Sequence, residues 1–131
     1  MKRRAKTIKN SNDGKRQIAI DAKNADNIFQ FIQQNGLTKK FALICEVILE
    51  GIKNPELYDK ENINVKCKNV TAMKFKRGLN TRIYCKEVKQ KNKTLVIIAS
   101  ELHPSKKSQK NKSKEINLIN KVGGYDYEII K

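Results

Sequence analysis

A chain of 131 residues, 38% of them hydrophobic, has material for one domain with a modest core and too little for two. Its 29 Lys+Arg against 13 Asp+Glu give a formal charge of +16, and no stretch is apolar enough to span a bilayer, which excludes a membrane-spanning class. Met-Lys-Arg-Arg opens like a signal peptide but no apolar run follows, so the expected compartment is the cytoplasm, with no membrane partner.

The charge is unevenly spread. Residues 1–16 hold seven positive and one negative charge, and residues 60–114 hold sixteen and three. The intervening residues 17–59 and the last seventeen are slightly acidic. Such localisation points to a polyanion, nucleic acid ahead of membrane, against the alternative of a merely soluble lysine-rich surface. Cys45, Cys67 and Cys85 form no CxxC pair, and the chain has one His, so no metal set and no cofactor are expected. Cys45 and Cys85 read as small core residues.

In chain order, residues 1–15 are polar, basic and aperiodic, and read as a disordered basic arm before a single domain over 16–131. A short strand, Arg16 to Asp21, alternates Ile18 and Ile20 with Gln17 and Ala19. Asn24 is the expected N-cap of a helix from Ala25 to Gln34, with Ala25, Ile28, Phe29 and Ile32 on one face. Asn35-Gly36 stops it. Thr38 is then expected to cap a second helix running to about Lys53, ended by Asn54-Pro55. So short a turn makes a helical hairpin. Residues 55–69 read as a loop leading into the sheet.

Three strands are expected next, Thr71 to Lys76, Thr81 to Val88 and Thr94 to Ser100, joined as an antiparallel β-meander. A lysine-rich segment follows, then a short helix from Glu115 to Val122, the breaker Gly123-Gly124, and an edge strand or docked tail over Tyr125 to Ile130. The fold class is α+β, with helices on one face of the sheet.

Met73-Lys74-Phe75-Lys76, Thr81-Arg82-Ile83-Tyr84, Leu95-Val96-Ile97-Ile98 and Lys106-Lys107-Ser108-Gln109-Lys110 before Glu115-Ile116 follow one another in this order over residues 16–122. In order and spacing the chain resembles the RelE/HigB toxins of bacterial type II toxin–antitoxin pairs. The resemblance implies a RelE-like fold and a metal-independent, ribosome-associated mRNA endoribonuclease that inhibits translation. Its partners would be mRNA, the ribosome and a cognate antitoxin. Cleavage would proceed by attack of the ribose 2′-hydroxyl on the adjacent phosphate. ParE-like relatives share the fold and poison gyrase, and a non-catalytic RNA- or ribosome-binding domain would use the same basic face, so both stay open as alternatives.

The candidate catalytic residues are Arg82, Lys74, Lys76, Tyr84 and His103. A guanidinium at Arg82 forks two phosphate oxygens as charge builds, against the alternative of a surface arginine. Lys74 and Lys76, two apart, share a sheet face and suit RNA steering or proton donation; the alternative is a solvated pair. Tyr84 shares Arg82's face and is a stacking or proton-transfer candidate, with packing the competing role. His103 offers imidazole chemistry near neutrality, or is simply a loop histidine. Arg77, Lys86, Lys106, Lys107, Lys110 and Lys112 are the expected RNA-binding residues. Tyr125 and Tyr127 are further tail residues within possible reach of the site.

Overall fold

Asn12-Asp13-Gly14 is turn chemistry, and in the computed structural model, which describes residues 2–61, 69–75, 80–104 and 112–130, it closes a hairpin. Asp13 accepts from the Ser11 hydroxyl at 2.6 Å and from the Lys15 amide at 2.9 Å, and Gly14 takes φ +72°. The first residues are therefore strand β1, Arg3–Asn10, paired antiparallel with β2, Arg16–Asp21, and not a disordered arm. Ala5 is fully buried while Arg4 and Lys6 are exposed, so the strand's one fully buried residue carries little hydrophobic signal.

Helix α1, Ala25–Gln34, buries Ile28 and Ile32. Asn24 stands at its N-cap position, but its side-chain amide donates to the Ser100 carbonyl at 2.7 Å instead of capping. In α2, Thr38–Leu49, the N-cap is Leu37 and Thr38 already lies inside the helix. The helix also ends four residues early. Gly51, at φ +71°, lets the Ile52 amide reach back to the Val47 carbonyl at 3.1 Å, a left-handed stop that leaves Ile52 exposed. The expected loop after it contains a short strand, β3, Tyr58–Lys60.

Three longer strands follow, β4 at Val70–Phe75, β5 at Thr81–Lys89 and β6 at Leu95–His103, then α3 at Lys112–Gly123 and β7 at Tyr127–Ile130. All seven strands form one sheet in the order β3-β4-β5-β6-β2-β1-β7. It is mixed: β2 runs parallel to β6 and β1 parallel to β7, with every other pairing antiparallel. The fold is α+β.

The helices do not share a face. Ile18, Ile20, Met73, Phe75, Ile83 and Ile97 pack with the buried sides of α1 and α2. Side chains of the opposite parity, Val70, Ala72 and Tyr84, pack with Ile119 and Val122 of α3. Alternation reveals that both sides of these strands are buried, which a single helical layer cannot explain. Cys45 and Cys85 are both buried on the α1–α2 side.

One irregularity positions the site. Cys85 pairs with Ala99 but Tyr84 pairs with Glu101, so Ser100 is an extra residue in β6. Before this bulge the odd-numbered Ile97 and Ala99 face α1 and α2. After it, Glu101 and His103 are registered with Tyr84 and Arg82 and face α3.

Candidate active site

Cross-strand register puts three of the expected residues in one row at one end of the sheet: Lys74 of β4 lies opposite Arg82 of β5, which lies opposite His103 of β6. The Arg82 Nη1 donates to Glu61 Oε1 at 2.8 Å, both side chains being largely shielded from solvent. Its buried Nε has no hydrogen-bond partner among the described residues, and neither has Nδ1 of His103, which is 8% exposed. Two such neighbouring groups mark a place where a polar ligand or water would be held. Lys74 donates from Nζ to the Pro55 carbonyl at 3.0 Å, and Thr81 ties β5 to Pro104 through a 2.7 Å hydrogen bond.

Beside this row an open groove of about 510 Å³ runs between the end of β6 and α3, lined by His103, Pro104, Lys114, Asn117, Leu118 and Lys121. It has apolar surface for a flat ring and cations for a phosphate. Tyr84 is fully buried beneath it, meeting the His103 ring edge-on at 6.2 Å and donating its hydroxyl to Glu115 at 2.8 Å. Burial, reinforced by Glu115, pushes the Tyr84 phenol well above its ordinary range. Tyr84 thus positions the imidazole and anchors α3, and the proton-transfer role expected for it does not fit this setting.

The remaining expected residues separate. Lys86 donates from Nζ to the carbonyls of Gly123 and Tyr125, at 2.9 and 2.5 Å, and so caps the C-terminal end of α3 instead of presenting an ammonium to RNA. Lys86→Met, which keeps most of the apolar stem, is expected to lower stability by about 1–2 kcal/mol in urea unfolding while leaving RNA affinity unchanged. Lys76, Arg77, Lys106, Lys107 and Lys110 lie outside the described residues, as does the side chain of Lys112, whose backbone begins α3. Tyr125 and Tyr127 join a neighbouring cluster. Asp21, with no exposed surface, accepts from Arg3 Nε and the Tyr127 hydroxyl, each at 2.7 Å, and from the amides of Lys23 and Asn24. The Arg3 guanidinium lies over the Tyr125 ring at 4.1 Å, and Tyr125 donates to Glu101.

Glu61, Asp21 and Arg3 are the residues that sequence reasoning passed over. Glu61 meets Arg82 across 21 residues of sequence and Asp21 meets Tyr127 across 106, and neither contact has a local spacing signature. Among the described residues no three His, Cys, Asp or Glu side chains gather as a metal-binding cluster, and no helix is long and apolar enough to cross a membrane.

Several phenols and thiols share one pH consequence. Burial pushes Cys45 up to about 11; burial and then the hydrogen bond to Glu101 push Tyr125 up to about 12. Tyr58, Tyr127 and Cys85 move in the same direction, burial again being the main cause. A raised folded-state pKa means that the unfolded chain loses its protons first, so stability is intact below the ordinary thiol and phenol values and falls as pH rises past them. Thermal melts are expected to show no contribution from these groups near neutrality and a declining Tm above about pH 9.

No protein-family model, no curated protein and no solved structure matches this chain.

Proposed function

We propose that this chain is the toxin of a type II toxin–antitoxin pair, a RelE/HigB-like mRNA endoribonuclease that acts in the cytoplasm at the ribosome and is held in check by a cognate antitoxin. The observation that carries the reading is a pair of buried nitrogens, Arg82 Nε and His103 Nδ1, that have no hydrogen-bond partner among the described residues and sit on directly opposed residues beside a cationic groove. The helical pair α1–α2 and the antiparallel run β4–β5–β6 support a RelE-like arrangement within the larger sheet.

Cleavage needs a proton acceptor, a stabiliser of developing charge and a proton donor. The RNA phosphate displaces Glu61 from Arg82, whose guanidinium takes the non-bridging oxygens. Freed of that contact, the Glu61 carboxylate accepts the 2′-hydroxyl proton. The 2′ oxygen bonds to phosphorus as the bond from phosphorus to the 5′ oxygen breaks. His103 gives a proton to the departing oxygen, and Lys74 adds positive charge along the same row. The products are a 2′,3′-cyclic phosphate and a 5′-hydroxyl.

Induced expression in a bacterial host, with growth followed and mRNA 5′ ends mapped, tests the reading. Growth arrest with new 5′ ends supports it. Arrest without new ends transfers the proposal to a gyrase-type target, and no arrest from folded protein leaves a non-catalytic RNA binder.

A further inference from the structure

We propose that the groove between the end of β6 and α3 is the base-reading subsite of the cleavage site, with Asn117 as the residue that sets sequence preference. This rests on the reading of the Lys74–Arg82–His103 row as the cleavage site and names what lies beside it: an unpaired nucleobase of the RNA with its two flanking phosphates.

Helix α3 carries two adjoining stripes. Ile119 and Val122 pack on the sheet, and Glu115, on the same side, accepts from the buried Tyr84 hydroxyl. Lys114, Asn117, Leu118 and Lys121 stand at i, i+3, i+4 and i+7, so they share the next flank of the helix, and all four line the groove. The other wall is His103, the last residue of β6, and Pro104 after it. The enclosed volume of about 510 Å³ is in the range of small-ligand sites.

Each lining residue meets a different need of a nucleotide. Leu118 is half-buried and packs on the α3 cluster, so its side chain is held in place, and Pro104 presents a rigid ring from the other wall. Together they give a base two apolar surfaces. Asn117 is exposed and makes no hydrogen bond to the described residues. Its amide sets a donor beside an acceptor, the arrangement that an unpaired base offers along its Watson–Crick edge. Lys114 and Lys121 lie about one turn to either side of it, about 10 Å apart along the helix. Neither enters an ion pair with a described residue and no carboxylate lines the groove, so both ammonium groups are open to phosphate.

His103 ties the groove to the reacting row. It forms part of the groove wall and is registered with Arg82, while its buried Nδ1 has no hydrogen-bond partner among the described residues. A buried polar atom in that state calls for a ligand or water. Arg82, Tyr84 and His103 share the α3 side of the sheet, so one RNA strand reaches row and groove without crossing it. A nucleotide seated in the groove therefore adjoins the phosphate held by Arg82, as base selection at the cut requires.

The test is single-turnover cleavage of single-stranded RNA dodecamers that differ at one position at a time, by wild type and by Asn117→Ala, with matched thermal melts. Binding is measured in parallel on the same sequences carrying 2′-O-methyl groups, which lack the attacking hydroxyl. Wild type is expected to prefer one base by about tenfold at a position next to the cut, and Asn117→Ala to lose that preference. Lys114→Gln with Lys121→Gln is expected to weaken binding of all the sequences alike, with a salt slope lower by about one to two; an unchanged slope overturns the placement of phosphates in the groove. Cleavage with no base preference, or with one that Asn117→Ala retains, overturns the subsite and leaves the cleavage reading standing. Base-selective binding that depends on Asn117, in a protein that cleaves nothing, upholds the subsite and overturns the cleavage reading. No cleavage, together with binding indifferent to Asn117, overturns both.

Discussion

Replacing Arg82 by alanine is expected to lower the turnover of RNA by about 100- to 1,000-fold, the usual loss when one preorganised charge stabiliser is removed. Arg82 lies in the interior of a three-strand row, paired with Lys74 on one side and His103 on the other, so its Cα is fixed by two ladders of hydrogen bonds. Its guanidinium contacts Glu61 through Nη1 while the buried Nε has no partner among the described residues, so the resting site holds an uncommitted donor beside the committed one. Arg82→Lys keeps the charge but loses the planar fork, and is expected to recover only part of the rate. Folding is the lesser concern. Glu61 keeps 17% of its side-chain surface and can hydrate when its partner is lost, so the pair contributes about 1 kcal/mol or less. Single-turnover cleavage with matched thermal melts checks both halves; wild-type turnover in a folded alanine variant removes Arg82 from the chemistry.

Asp21→Ala is the change expected to damage the fold most, by about 3–5 kcal/mol. Asp21 has no exposed surface and accepts from Arg3, Tyr127 and the Lys23 and Asn24 amides, and through them it joins β1, β2, β7 and the turn into α1. Its loss strands a buried phenol and a partly buried guanidinium together, and a group left unsatisfied in the interior costs more than the bond contributed. Against a typical total of about 5–15 kcal/mol, that is a large share of the stability of a small domain. Asp21→Asn retains an oxygen acceptor but loses the charge facing Arg3, so an intermediate loss is expected. Urea unfolding with a common m-value decides the matter, and a loss under about 1 kcal/mol for the alanine variant contradicts this account of the cluster.

Local periodicity carried much of the architecture. Ala25, Ile28, Phe29 and Ile32 fall on one face of α1, and Ile18 and Ile20 alternate through β2, because each pattern is repeated within a few residues. Strand β1 was hidden by its own composition, since only Ala5 is fully buried among a run of cations. The stop of α2 was misplaced because Gly51 acts before Asn54-Pro55 is reached. The site divides in the same way. That Arg82 and Tyr84 share a face follows from their spacing. That His103 joins them does not: simple alternation from Ile97 and Ala99 would send it into the α1–α2 core, and only the extra residue at Ser100 reverses its direction. Glu61 and Arg3 arrive through tertiary pairing, which no window of sequence displays.

The most direct measurement is to incubate the purified protein with a defined single-stranded RNA, alone and on programmed ribosomes, and to determine the chemistry of the product ends. The account predicts 5′-hydroxyl ends and 2′,3′-cyclic phosphates from the wild type, and none from His103→Ala when the leaving group needs protonation. Intact RNA in both settings, or 5′-phosphate ends from cleavage that persists without His103, would contradict it.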